Sequence, residues 1–147
     1  MGLFDSLFGG MDGGGRLSPQ EAFAGILMGA TACDGHLADD EVNGLCVALT
    51  RMKLYERMND KQFNQMLNKL YGVIKKKGVE FLIDGCVEQL PAGLEKTAFA
   101  NACDIVLADG VIEDDEKEFI EKLRKKLNLE GPVAKVIAEI MVVKNRG

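Results

Sequence analysis

An acidic string of eight residues occurs twice in this chain, and the two copies begin 75 residues apart, at Asp34 and at Asp109. Both copies read Asp-Gly-x-(Leu/Ile)-x-Asp-Asp-Glu. Each lies between two stretches whose apolar residues recur every three or four positions, which is the spacing of an α-helix with a buried face. The repeat therefore predicts an internal duplication of a helix-loop-helix unit, with the two loops in equivalent positions of the fold.

The same spacing predicts an all-α fold, a single compact bundle of about seven helices. No period-two alternation is long enough to indicate a strand. Ser18, Pro19 and Glu21 form a capping box at the start of the first helix, and Asn59 or Asp60 caps the third. The first helix is expected to bury one face. The predicted helices cover about residues 19–33, 39–52, 60–77, 79–89, 94–107, 114–127 and 131–143.

The domain organisation follows from a glycine-rich segment near the start of the chain. Residues 1–16 contain a short amphipathic stretch around Leu3 to Phe8 followed by five glycines, a composition typical of a flexible linker. We interpret residues 1–16 as a tail and residues 17–147 as the helical domain. A peripheral contact of the tail with a membrane or a partner is an alternative to a freely moving tail.

Charge and hydropathy exclude several classes of protein. A net charge of -5 and a pI near 5.0 argue against a nucleic-acid-binding protein, which needs a concentrated basic face. No apolar run approaches the roughly 20 residues that cross a bilayer, and no secretory signal is visible, so we expect a cytoplasmic protein without stable membrane insertion. The four cysteines form no Cys-x-x-Cys pair, and we expect free thiols that pack as small apolar side chains.

The residue types of the repeated string suit either helix capping or cation binding. The glycine permits a sharp turn, and carboxylates at a helix start are stabilised by the helix dipole. The string also matches the second half of an EF-hand calcium loop, but apolar residues fill the earlier ligand positions. One loop alone offers too few oxygens, so a site would need waters, carbonyls or both loops together. The candidate ligands are Asp34, Asp39, Asp40, Glu41, Asp109, Asp114, Asp115 and Glu116.

These oxygen ligands favour Ca²⁺ or Mg²⁺ over Zn²⁺. The only histidine, His36, lies in the first loop, but Val111 replaces it in the second, which favours an ordinary exposed loop residue. A Cys-His catalytic pair would need an orienting third group, and no known motif surrounds Cys33 and His36. We therefore expect a binding protein without enzymatic activity.

The string also carries a family resemblance. Ala-Asp-Gly-x-Ile-x-x-x-Glu, read from Ala108 to Glu116, resembles the signature of the TerB tellurite-resistance family and of the related domain in DjlA-type co-chaperones. The likeness covers the chain from about Leu17 onward. It implies a helical bundle with a clustered acidic surface, involved in bacterial tellurite and stress resistance and binding metal ions or partner proteins, with no established catalysis. The residues that match the family motif are Asp34, Glu41, Asp109 and Glu116, and the resemblance implies a binding role for them.

Two function hypotheses follow. In the first, the chain is a TerB-like protein that binds divalent cations or a partner through the acidic loops. In the second, it is a protein-protein interaction module, such as a co-chaperone-like or membrane-complex adaptor, whose loop acids only cap helices. A hydrolase-type enzyme would need a concave site that contains an acid or base with a shifted pKa. No motif in the sequence indicates such a site.

Overall fold

The structure is a computed structural model that describes residues 17–33, 39–108 and 113–146, with only the backbone of Asp39 and Asp40. Its described part contains seven α-helices, which confirms the predicted all-α class. The helices are α1 (Pro19–Thr31), α2 (Asp39–Thr50), α3 (Asp60–Lys77), α4 (Val79–Gln89), α5 (Glu95–Val106), α6 (Asp114–Lys126) and α7 (Gly131–Lys144). The predicted tail, residues 1–16, and most of both acidic loops lie outside the described residues.

Helix α1 forms the centre of the bundle. It packs against α2, α3, α4 and α5, and every residue from Ala22 to Thr31 is buried. The prediction of one buried face was therefore wrong for this helix. Apolar residues on every side of the helix, Ala24 and Met28 among them, are buried, as expected for a helix surrounded on all sides.

The outer helices form two groups around α1. Helices α3 and α4 pack against each other and against α1. On the other side, α5 packs against α1 and carries both α6 and α7. Two glycines bring α4 close to α1, because a methyl carbon built on Gly25 would clash with Cys86 Sγ, and one built on Gly29 would lie 2.5 Å from Ile83 Cδ1.

The duplication inferred from the sequence reappears in the helix boundaries. Helices α1 and α5 end at Thr31 and Val106, and helices α2 and α6 begin at Asp39 and Asp114, so both boundaries repeat after 75 residues. The residues that follow α1 and α5 have nearly the same backbone angles: φ -97° and ψ 9° in Ala32, φ -95° and ψ 7° in Leu107. The two helix-loop-helix units therefore end their first helix in the same way.

The predicted capping box at Ser18 forms, and one of the two predicted caps of α3 forms a second box. Ser18 Oγ accepts from the Glu21 N–H at 3.1 Å, and the Ser18 N–H donates to Glu21 Oε1 at 2.8 Å. Asn59, rather than Asp60, caps α3 with Gln62 as its return partner. Each box satisfies backbone N–H groups that the first turn of a helix leaves without intrahelical partners.

The segment after α2 differs from the prediction. Helix α2 ends at Thr50 instead of reaching residue 52, and a short 3₁₀-helix follows, Lys53–Tyr55. The reason is Tyr55, which is 4% exposed and whose hydroxyl donates to the Gln20 carbonyl at 2.8 Å. Burying this ring against the start of α1 requires the chain to turn before α3. None of the described helices has the length and apolar composition that crossing a membrane would require.

Candidate functional site

The eight predicted ligands fall into three groups in the structure. The side chains of Glu41, Asp114, Asp115 and Glu116 are described. Asp39 and Asp40 are placed only as backbone, in the first turn of α2. Asp34 and Asp109 lie outside the described residues, as do His36 and both loop glycines.

In the second copy the acids surround the N-terminus of α6. The Glu113 N–H donates to Glu116 Oε1 at 3.0 Å, which is one half of a capping box. This bond uses the backbone of Glu113 and does not depend on its side chain. Since a carboxylate has about four lone-pair sites, the cap does not exhaust the capacity of Glu116 to accept.

Asp114 and Asp115 are exposed at the same helix end. Among the described residues, no lysine or arginine forms an ion pair with Asp114, Asp115 or Glu116. The partial positive charge of the α6 N-terminus offsets their negative charge. Additional positive charge would be attracted to this end of the helix.

A hollow of about 310 Å³ joins the two copies on one side. Its lining includes Thr31 and Glu41, which flank the first loop, and Ala108, which directly precedes the second. Residues at the start of the second helix of copy one and at the end of the first helix of copy two therefore line the same cavity.

A cleft of about 210 Å³ shows the reciprocal arrangement on the other side. Cys33, which directly precedes the first loop, and Asp115, which follows the second loop, both line it. In each case, residues at the end of the first helix of one copy and at the start of the second helix of the other line the same cavity. Residues that flank the two loops therefore share both cavities, which the sequence alone could not establish.

The cleft beside Cys33 has an apolar floor and a charged rim. Its charged groups are largely paired with one another: Lys122 Nζ lies 3.3 Å from Glu118 Oε1, and Lys126 forms ion pairs with Asp84 and, at 3.6 Å, with Glu80. These lysines neutralise the acids of α4 and of the middle of α6. The floor is formed by Val79, Ile83, Phe119 and Leu123.

Asp104 is a charged residue of this region that sequence reasoning missed. It lies on α5 in the hollow that Glu41 lines, and it accepts from Lys144 Nζ at 3.1 Å and from Asn145 Nδ2 at 2.9 Å. These bonds hold the C-terminal end of α7 against the C-terminal part of α5. An aspartate between Cys103 and Ile105, in an apolar stretch, was the signal that could have indicated its role.

A metal site is not complete within the described residues. In residues 17–33, 39–108 and 113–146, no three His, Cys, Asp or Glu side chains are grouped so that they could hold an ion. The residues that would complete a site at this end, Asp34 and Asp109, belong to the loops outside that part. Cation binding is therefore a hypothesis that requires ligands from the two loops.

The cysteines are free thiols, and two of them are fully buried, Cys86 and Cys103. Burial, reinforced by the nearby Asp104 charge, raises the pKa of Cys103 to about 12. Burial also raises the pKa of Cys86 and that of Cys46. Since the thiolate is the reactive form, the raised pKa values make these thiols poor nucleophiles at neutral pH.

We expect two classes of thiol in a labelling experiment. In native protein at pH 8, the partly exposed Cys33 and Cys46 should react with Ellman's reagent well before Cys86 and Cys103, whereas all four should react rapidly in urea. The absorbance of the released thiolate measures both rates. Equal rates for all four thiols in native protein would contradict the burial of Cys86 and Cys103.

Comparison with protein-family models, with curated proteins and with solved structures finds no match to this chain.

Proposed function

We propose that this chain is a TerB-like protein of tellurite or stress resistance, without enzymatic activity, that binds a divalent cation through its two acidic loops. The observation that carries the proposal is that Cys33 and Asp115 line one cavity and that Glu41 and Ala108 line another. One loop has too few oxygens for a calcium or magnesium ion, which takes six or more ligands. Oxygen atoms supplied by both loops together would make up the number of ligands that one loop lacks.

Electrostatics favour a hard cation. The candidate ligands are carboxylates, and Asp114, Asp115 and Glu116 have no cationic side-chain partner among the described residues. Carboxylate oxygen suits Ca²⁺ and Mg²⁺, whereas Zn²⁺ in proteins prefers nitrogen and sulfur. The raised pKa values of three of the four thiols weaken the case for a soft metal, because cysteine binds metals as the thiolate.

The test is a thermal melt of chelator-treated protein with and without millimolar Ca²⁺, Mg²⁺ or Zn²⁺. A ligand that binds only the native state stabilises it by RT ln(1 + [L]/Kd), about 2.7 kcal/mol at 100-fold excess over Kd. In a domain of this size we expect Tm to rise by about 5–10 °C with Ca²⁺ or Mg²⁺. Absence of any shift with all three ions would overturn the cation hypothesis.

The double variant Glu41→Gln/Glu116→Gln should lose that shift. Glutamine keeps the length of both side chains, and its amide oxygen can still accept from the Glu113 N–H, so α6 remains capped. The matched control, Glu56→Gln/Glu88→Gln, removes the same charge from exposed positions outside the repeat and should keep the full shift. A cation-dependent shift that survives in Glu41→Gln/Glu116→Gln would show that the loops are not the site.

A second candidate is a protein-protein interaction module in which the acids serve only as caps. The bond between the Glu113 N–H and Glu116 favours it, because that bond gives Glu116 a structural role without any ion. Under this hypothesis the melting temperature does not depend on metal, and a partner's affinity is unchanged by chelator. Affinity that falls on chelation favours the cation hypothesis instead.

A further inference from the structure

Helix α7 presents an apolar stripe to solvent. Val136 and Ile140 are each 55% exposed, and Val143 is 63% exposed. Their spacing of four and three residues places them on one side of the helix, a geometry that usually marks a buried face. We call Val136, Ile140 and Val143 the α7 stripe.

The opposite side of α7 already has its partner. Ala134 is 5% exposed, and Ile137, Ala138 and Met141 pack against the core alongside α5. The stripe is therefore not the face that attaches α7 to the bundle. A second apolar face on the same helix needs a second occupant, because a soluble surface rarely keeps such side chains in a row without one.

A second copy of the chain is a weak candidate for that occupant. Three side chains of this size expose on the order of 300 Å², whereas a stable interface buries about 800 Å² on each partner. The stripe instead matches one short amphipathic segment. A tethered segment also has an effective concentration in the millimolar range, far above that of a second copy in dilute solution.

The chain contains such a segment. Leu3, Phe4, Leu7 and Phe8 would share one side of a helical turn, with Asp5 and Ser6 between them. A helix this short does not form alone in water, so its apolar side chains gain most from a surface that orders them. Residues 9–16, which include five glycines, connect it to Leu17.

The connecting residues have a reach comparable to the length of α7. Leu17 is buried, and its N–H donates to Gln89 Oε1 at 2.8 Å, which fixes the start of the domain at the end of α4, shortly before α5 begins. Eight glycine-rich residues have a mean span of roughly 16 Å and stretch to about 28 Å. The 14 residues of α7, which packs along α5, extend about 21 Å.

We propose that residues 3–8 dock on the α7 stripe of the same molecule. The four apolar side chains of the segment cover Val136, Ile140 and Val143, and residues 9–16 connect the segment to Leu17. The docked tail shields both apolar surfaces from other molecules. This inference does not depend on cation binding.

The absence of tryptophan from the chain allows a direct test. In full-length Phe4→Trp protein, the single indole reports the surroundings of the segment. We expect its emission at shorter wavelength than that of a solvated indole, with acrylamide quenching reduced severalfold. Adding Ile140→Glu or Val136→Glu to Phe4→Trp should shift the emission to longer wavelength and restore quenching, with unchanged circular dichroism.

Tyr71→Glu is the matched control, because it places the same charge on an exposed apolar position of α3, which packs on α1 and α4. It should leave the Phe4→Trp emission unaltered. A solvated indole in Phe4→Trp, or no response to either stripe variant, overturns the proposal. So does an emission shift that grows with protein concentration, which indicates a second copy, or one that requires added lipid vesicles, which indicates a membrane surface.

Discussion

Replacement of Gly25 by alanine is expected to destabilise the protein by about 2 kcal/mol, although alanine is the better helix former. The added methyl carbon would overlap Cys86 Sγ, which is fully buried on α4. Neither helix can yield freely, because Gly25 lies in the middle of α1, which is packed on four other helices. The gain in helix propensity, about 1 kcal/mol, does not offset that overlap.

Replacement of Cys86 by alanine should relieve the clash at position 25. Apart from Cys86 Sγ, the nearest atoms to the added methyl would be on Leu70 and Leu82, at 3.5 Å, an ordinary van der Waals distance. Cys86→Ala alone should cost about 1 kcal/mol by leaving a small void. In the double variant the alanine at position 25 fills that void, so the two losses should not add, with a coupling of about 1–3 kcal/mol.

Urea unfolding of the four proteins, followed by circular dichroism, measures this coupling. Gly29→Ala is the comparison, because its methyl meets the flexible end of Ile83, which borders the cleft of about 210 Å³ and can swing into it. Gly29→Ala should therefore cost less than Gly25→Ala. Additive losses for Gly25→Ala and Cys86→Ala would contradict the predicted helix contact.

Helix positions were predictable because their signals are local. The Ser18 and Asn59 boxes, the glycine at Gly78 and the recurrence of apolar residues determine where helices begin and end. The repeat predicted that α5 and α6 copy α1 and α2, and the boundaries agree. The residues that give each of these signals lie within a few positions of the helix end that they determine.

What the sequence could not provide was which surfaces meet. The role of α1 as the central helix depends on four other helices packing around it, and its composition alone was consistent with one buried face. The cavity that Cys33 and Asp115 both line has the same origin, since these residues lie far apart in the chain. Asp104 was missed because its partners, Lys144 and Asn145, are about 40 residues away.

The partly buried ion pair between Glu21 and Lys69 could not be predicted for the same reason, and its removal is the second large effect. Lys69 Nζ lies 2.7 Å from Glu21 Oε2, and the two side chains are only 10% and 13% exposed. Lys69→Met should cost about 2–3 kcal/mol, because it leaves a carboxylate with little solvent and no counter-ion. The loss is smaller than for a dry site, since Glu21 Oε1 still accepts from Ser18.

The variant Glu21→Gln/Lys69→Met should recover most of that loss, because glutamine can accept the same Ser18 bond without a charge to compensate. Lys126→Met is the control: its partner Asp84 is 55% exposed, and water can replace the lysine, so the cost should stay below about 1 kcal/mol. Urea unfolding ranks the variants. If Lys69→Met costs no more than Lys126→Met, the Glu21 carboxylate is hydrated, and the start of α1 is more open than the structure shows.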